Sequence, residues 1–382
     1  MDLVYLDNNA TTAPAPEVVQ AMHPYLAEFW GNPSSLHRFG QRARHAIDQA
    51  RGQIAAMLNC ADREILFTSG GTESLNTAIR GIYARRQPRR RIITTAVEHP
   101  AVLEICQALE KEGAQVIHLP VNAHGALDLD HFRFALDEQT ALVSIMWANN
   151  ETGVVFPVAQ IAQICRAAKV PFHCDAVQAI GKVPVDAGEC GADAMSLAAH
   201  KFHGPKGVGA LYIRRGLQIP PLVIGGPQES RRRGGTENVA GIIGMGRAAQ
   251  LVPDELRDMP RIAAMRDRLE RAVLARIPET SVNGQTGARV SNTTNISFAR
   301  LQAEAILLLL SEQGICASAG AACASGSLEP SHVIRAMGIP DHLAHGAVRF
   351  SLSRHTTDAQ IDQALAVLPG VIERLRQVLP VG

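Results

Sequence analysis

Pro171-Phe-His-Cys-Asp175-Ala-Val-Gln178 and Ala194-Met-Ser-Leu-Ala-Ala-His-Lys201-Phe-His-Gly-Pro-Lys-Gly207 decide how this chain is read. Each opens on a run of strand length, Pro171–Cys174 and Ala194–Leu197, that is largely apolar and bounded by turn signals. Each then sets a chemical group just past the strand end. A lysine after a short apolar run and before a Gly-Pro turn suits a Schiff-base amine, because a partly desolvated ammonium gives up its proton readily and becomes a nucleophile. An acid further back can hold a pyridinium nitrogen. Singly, these are a surface lysine and a turn-forming aspartate; together, Asp175 and Lys201 are what pyridoxal 5'-phosphate (PLP) requires of a protein.

Outward from this pair, the same alternation continues. Glu64–Thr68, Arg91–Thr95, Gln115–Leu119 and Ala141–Met146 are further strand-length runs, and Ser74–Tyr83, Pro100–Glu112, Leu129–Leu136 and Val158–Ala168 carry helical periodicity between them. Such alternation predicts an α/β domain with a mostly parallel sheet, whose ligands sit beyond the carboxyl ends of the strands. From about Pro253 the texture changes. A long charged helix through Arg276, a strand at Asn295–Phe298, a helix at Ala303–Glu312, a strand at Ala347–Leu352 and a final helical stretch predict a second, smaller α+β domain. We place the large domain at 16–255 and the small one at 1–15 and 256–382.

With 382 residues, two domains and a sizeable core are expected. Apolar residues make up 46% and charged residues 19%, and no apolar run approaches the ~18 residues that span a membrane. The N-terminus is acidic where a signal peptide would be basic, so the expected location is cytoplasmic. Seven cysteines without a pairing pattern, at 60, 106, 165, 174, 190, 316 and 323, are expected to be reduced thiols. No Cys-x-x-Cys or His-x-x-x-His spacing occurs, so no metal site is predicted. A net charge of +1 gives the whole surface no strong pull on nucleic acid, and the basic run Arg85–Arg91 reads as a solvated connection.

Other constellations point to the same chemistry. Phe67-Thr-Ser-Gly-Gly-Thr-Glu-Ser74 is a strand, a glycine turn and a helix start, where exposed amides and the Thr72 hydroxyl suit a phosphate; as a plain cap, Thr72 or Ser69 would serve. It matches neither the dinucleotide nor the nucleotide P-loop pattern. His99 follows a strand end and opens a helix, where an imidazole can stack on a flat cofactor and shuttle protons, or simply cap the helix. Asn149-Asn-Glu-Thr-Gly153 offers amides for a ring hydroxyl. Within residues 314–327 every position except Ile315 is Gly, Ala, Ser or Cys, so large side chains cannot anchor the segment and Cys323 reads as an accessible thiol. Cys316 reads as structural.

These residues carry a family resemblance. Tyr5-Leu-Asp-Asn-Asn-Ala-Thr-Thr12, Gly31-Asn-Pro-Ser-Ser35, Gly70–Ser74, Glu98-His-Pro100, Asn149–Gly153, Asp175–Gln178, His200-Lys201, Gly235-Thr-Glu-Asn238 and Cys323 with Ser-Gly-Ser-Leu-Glu-Pro-Ser-His after it make the chain similar, from residue 4 to about 365, to the cysteine desulfurases of the NifS/IscS type. The resemblance implies a PLP-dependent transferase of fold type I that converts L-cysteine to L-alanine and passes the sulfur, as a persulfide, to an acceptor protein for iron–sulfur cluster assembly or another sulfur-using product. Lys201 would carry PLP, Asp175 would pair with the pyridine nitrogen, His99 would stack on the ring, and Gln178 and Asn150 would contact its oxygen side. Gly71, Thr72 and His200 would hold the phosphate, with Thr236 supplied by the other subunit of a homodimer. Asn32 and Arg349 would grip the substrate carboxylate, a two-pronged task suited to guanidinium. Cys323, on a mobile loop at about 314–330, would accept the sulfur.

The chain departs from the family pattern in two places, and its tail is short. Ala198 stands where relatives carry a phosphate-binding serine, and alanines flank Cys323 where hydroxyl residues are usual. The chain also stops at Leu379-Pro-Val-Gly382, without the longer tail that some members use toward a scaffold. The alternatives are a selenocysteine lyase or aminotransferase of the same fold, which Cys323 argues against for the aminotransferase, and a non-catalytic sulfur-carrier scaffold, which intact Lys201, Asp175 and His99 argue against.

Overall fold

Strands whose two faces both carry apolar residues must be covered on both sides, and the computed structural model, which describes residues 3–285, 287–320 and 329–378, shows this layering. In chain order its elements begin with β1 (Val4–Tyr5), α1 (Pro16–Ala27), α2 (Arg38–Met57), β2 (Ile65–Thr68), α3 (Gly71–Arg85), β3 (Arg91–Thr95), α4 (Pro100–Lys111) and β4 (Gln115–Leu119). There follow α5 (Leu129–Ala135), β5 (Thr140–Met146), α6 (Val158–Ala167), β6 (Phe172–Asp175), α7 (Ala187–Cys190), β7 (Ala194–Ala198) and β8 (Gly209–Ile213). Seven of these strands form one sheet in the order β2-β8-β7-β6-β5-β3-β4. The run from β7 to β4 is parallel, and β8 runs antiparallel to both of its neighbours. Along β2 the side chains divide by strand period. Ile65 and Phe67 enter one apolar cluster with Ile47 and Met245, while Leu66 enters another with Leu75, Ile79 and Val102.

The chain then runs through α8 (Val239–Arg276), β9 (Thr280–Asn283), β10 (Thr293–Phe298), α9 (Ala303–Glu312), β11 (Ile315–Cys316), α10 (His332–Ala336), α11 (Asp341–Ala344), β12 (Ala347–Ser351) and α12 (Asp358–Val378). The strands β12-β10-β9 form an antiparallel sheet, and β1 pairs in parallel with β11. A separate apolar core lies here, taking Val4 and Leu6 from the N-terminus and residues from Ile262 to Leu375. The long helix begins well before Pro253. Pro253 and Pro260 lie inside it, so the change of texture near Pro253 falls within one helix rather than at its start. Residues 315–316, expected as loop, are strand.

β2 is an edge strand that leads straight into the glycine turn, and its open side is closed by side chains rather than by another strand. Glu229, buried and at φ +48°, accepts from Arg51 Nη2 at 2.6 Å, from Arg51 Nη1 at 2.9 Å and from the Phe67 amide at 2.9 Å. Arg51 Nη1 and Arg232 Nη2 donate to the Ile65 carbonyl at 3.0 and 2.9 Å. Glu229→Ala takes the carboxylate away from the half-buried Arg51 guanidinium and leaves the Phe67 amide without its acceptor, so it should destabilise the chain by about 3–5 kcal/mol. Urea unfolding at neutral pH measures this, and a loss below about 1 kcal/mol, the worth of a surface pair, would contradict it.

Candidate active site

The loops that follow β2, β3, β5, β6 and β7 meet over one rim of the large sheet and enclose a cavity of about 170 Å³. Lys201 reaches it from the tight turn that follows β7, and Asp175 is the last residue of the neighbouring β6, in register with Ser196. Parallel strand pairing thus holds amine and carboxyl on one rim. Lys201 Nζ donates to the carbonyls of Asn9 and Ala10 at 2.6 and 2.8 Å. Asp175 is buried, and its Oδ1 accepts from the Val177 amide at 3.0 Å. Burial pushes its carboxyl up to about 6, against the opposing pull of the Lys201 cation.

Gly71 and Thr72 form the first turn of α3, whose unpaired amides and dipole favour an anion. Neither Ser69 nor Thr72 caps this helix. Glu73 instead accepts from the Ser69 amide at 2.8 Å and is held by Arg233 at 3.0 Å. A Cβ on Gly71 would come within 3.1 Å of Val177 Cγ2, so the glycine leaves the backbone open to close approach. Ala198 lines the same cavity.

His99 is both cap and cavity wall. Its Nδ1 accepts from the Ala101 amide at 3.1 Å, and burial together with Lys201 lowers its ring to about 4. At neutral pH the imidazole is therefore uncharged with its proton on Nε2, rather than titrating near pH 7. His200, also lowered to about 4 by burial, bonds Thr11 Oγ1 through Nδ1 at 3.2 Å. Gln178 and Asn150 line the cavity, and the Asn150 carbonyl accepts from Arg349 Nη1 at 3.0 Å. Arg349 lies just outside the cavity wall on β12 and is 1% exposed. Its Nη2 is held by Asp7 at 2.6 Å, while its Nε is buried without an acceptor among the described residues.

Two expected residues stay apart. Asn32 is exposed and accepts from its neighbour Ser34 at 2.9 Å, and Thr236 is exposed in an irregular segment; neither lines the cavity of this single chain. Cys323 lies outside the described residues. Asp7, Asn9 and Lys182 touch the site residues without any role having been read for them, although Asp7 and Asn9 stand in a motif quoted for the resemblance. Among the described residues no group of three or more His, Cys, Asp or Glu side chains is placed to hold a metal, and no helix is long and apolar enough to cross a membrane.

An amine, a buried carboxyl, a neutral imidazole and a glycine-opened helix N-terminus around one cavity are the donor set that PLP needs, so these residues fit that cofactor. The raised Asp175 carboxyl makes the cofactor-free chain pH-sensitive. A carboxyl raised on folding contributes its full stability below its ordinary value near 3.8 and loses it as pH rises through about 6. Asp175→Asn, which keeps the acceptor for Val177, should therefore stabilise the cofactor-free chain at pH 8 by up to about 3 kcal/mol and leave it unchanged below pH 4. Thermal midpoints of both proteins at the two pH values test this, and an equal gain at both would refute it.

The sequence profile described as Aminotransferase class-V matches residues 4–364. The protein named Cysteine desulfurase 2 of Trichormus variabilis is 54% identical over 380 residues, which is 100% of this chain and 96% of that one. The cysteine desulfurase of Klebsiella pneumoniae is 50% identical over 381 residues, covering 100% and 95%. A solved NifS-like protein superposes with a TM-score of 0.92 at 37% identity, covering 98% of this chain and 100% of its own. SspA in complex with cysteine gives 0.83 at 34%, covering 92% and 99%. With its cavity built from the residues that carry the resemblance, the chain belongs to the class-V aminotransferase family, among its PLP-dependent cysteine desulfurases.

Proposed function

We propose that this protein takes sulfur from L-cysteine, leaves L-alanine, and holds the sulfur on Cys323 as a persulfide for an acceptor protein. The observation that carries the reading is the placing of Lys201 and Asp175 at the ends of adjacent parallel strands in one cavity. PLP, when bound, supplies an aldehyde for the lysine and an electron sink for charge built up at the substrate α-carbon.

The chain's residues do the rest. Lys201 Nζ would hold the cofactor and, once released, would take the α-proton and return it to the α-carbon as alanine forms. Asp175 would stabilise a proton on the ring nitrogen, and the Gly71 amide, Thr72 and His200 would hold the phosphate. His99, neutral with Nε2 protonated, would stack on the ring and manage protons beside it. The Cys323 thiolate attacks the substrate sulfur. The carbon–sulfur bond breaks, its electron pair stays with the carbon, a proton completes the methyl group of alanine, and the sulfur remains on Cys323. Arg349 grips the substrate carboxylate, with Nε as the donor still to be matched. Asn32 and Thr236 lie away from the cavity, and Trp30, Leu36 and Ile224 are exposed, which supports a homodimer whose partner completes the site. The separate apolar core with Val4, Leu6 and residues beyond Ile262 supports a small domain at 1–15 and 256–382 beside a large one at 16–255. Reduced cysteines suit work in the cytoplasm.

Loaded with PLP and given L-cysteine and a reductant, the protein should release alanine and sulfide in equal amounts. Cys323→Ala should keep the cofactor's absorbance and bind L-cysteine, yet release almost no sulfide. Near-normal sulfide release would mean that another thiol takes the sulfur. Arg349→Lys keeps a cation for Asp7 but removes the fork, so KM for L-cysteine should rise roughly 10–100-fold, the worth of a charge-assisted hydrogen bond, with the cofactor spectrum unchanged. An unaltered KM would remove Arg349 from this role.

A further inference from the structure

Behind Lys201 lies a second buried amine that the reaction above leaves unused. Lys182 is 8% exposed, and its Nζ donates to Asn9 Oδ1 at 3.2 Å and to Gln178 Oε1. Among the described residues no carboxylate lies within ion-pair distance of it. The two lysines meet on one residue. Asn9 receives Lys182 on its side-chain oxygen and Lys201 on its carbonyl, and Gln178 Nε2 donates to that same carbonyl at 2.9 Å. A second, smaller cavity of about 20 Å³ is lined by both lysines, with Glu255, Asn292 and Arg354.

An ammonium buried against amide oxygens alone is costly, so its place calls for a use. The charged and titratable groups around it are mixed. Lys201 and His200 come from the turn after β7, His203 lies just beyond them, Arg349 comes from β12, Arg354 follows it, and Glu255 reaches in from α8. Burial, Lys201 and Arg349 hold Lys182 well below its ordinary value, with Glu255 opposing them. Two amines sharing such a site lose their protons in two separate steps that belong to the pair rather than to either residue.

We propose that Lys182 is a positioning residue for Lys201: joined through Asn9 and Gln178, the two amines carry one proton between them at neutral pH, so that Lys201 is supplied with its lone pair free. This rests on the reading of Lys201 as the cofactor lysine. Lys182 does not line the main cavity and meets its wall through Gln178.

The test follows reloading of the full-length protein with PLP, by the growth of the bound cofactor's absorbance, as a function of pH. Lys182→Met should move the midpoint of that rate profile upward by about one pH unit or more, so that reloading at neutral pH slows about tenfold, because Lys201 then keeps the proton. Lys182→Arg, a permanent cation, should leave the midpoint at or below that of the parent protein. A Lys182→Met midpoint within about 0.3 pH unit of the parent would overturn the proposal, as would an equal upward move in Lys182→Arg, which would make the role one of packing. Should Lys182→Met not fold, Lys182→Gln is read by the same criteria. Borohydride reduction and peptide mapping of each protein separate this from failure of the underlying reading: a label on any lysine other than Lys201 overturns both, and a label on Lys201 with an unmoved midpoint overturns only the role of Lys182.

Discussion

Every polar atom of Asn9 is engaged, and the active site hangs on that one residue. Its amide donates to Ser351 Oγ at 2.9 Å, its carbonyl accepts from Lys201 and Gln178, its Nδ2 donates to the Asn150 carbonyl at 3.0 Å and Thr293 Oγ1 at 2.8 Å, and its Oδ1 accepts from Lys182 and from Asn292 Nδ2 at 3.1 Å. These partners come from the large sheet's rim on one side and from β10 and β12 on the other. An extended N-terminal segment, threaded between two cores, therefore sets the distance between the lysine end and the Arg349 end of the site. A buried network of this kind is stabilising only when fully satisfied, which makes aspartate or alanine at this position far more disruptive than their size implies.

Desolvation is the dominant electrostatic force in the cavity, and it selects neutral forms. Asp175 rises to about 6, His99 and His200 fall to about 4, and Glu98, wholly buried with Oε2 unpartnered among the described residues, rises to about 8. At neutral pH the two imidazoles are therefore uncharged, while Asp175 is already largely ionised. What the cavity offers an anion is the amide end of α3, and what it offers a cation is the buried Asp175 carboxylate. A ligand bearing a phosphate and a protonated ring nitrogen answers both at once, and its binding would return Asp175 toward the ordinary carboxylate range.

The large sheet was legible because its strands are short, apolar on both faces and separated by helices, and because parallel pairing carries strand-end residues to one rim. Lys201, Asp175, His99 and the Gly71–Thr72 turn could be named for that reason. β8 was missed because Gly209-Ala-Leu-Tyr-Ile213 follows a Gly-Pro turn and returns antiparallel, and α2 because its buried face is mostly alanine and glycine, with few large apolar residues to mark it. β1 and β11 are two residues each and exist only as a pair. Asp7, Asn9 and Lys182 show a deeper limit. Their roles come from contacts across as many as 342 positions of sequence, which no local pattern encodes. Asn32 and Thr236 could be named only by resemblance, since a single chain does not bring them to the cavity.

The two flanks of the cysteine segment are tied back to the turns that build the cavity. Gly320 lies at φ +89°, and a Cβ there would stand 2.5 Å from Glu151 Oε2, so only glycine lets the chain pass this carboxyl. On the other flank Ser331 Oγ donates to the same Oε2 at 2.5 Å, and His332 Nε2 donates to the Glu98 carbonyl at 2.9 Å. Glu151 belongs to the Asn149–Gly153 turn, whose Asn149 side chain reaches the Val97 carbonyl at 3.0 Å, next to Glu98 and His99. Arg349 joins in by donating to the Gly320 carbonyl at 3.3 Å. Residues 320 and 331, which bracket Cys323, are therefore set by the same buried contacts that place His99, Asn150 and Arg349. Under the proposed function, cofactor chemistry and sulfur transfer would share one base, and a change at Glu151 would reach both.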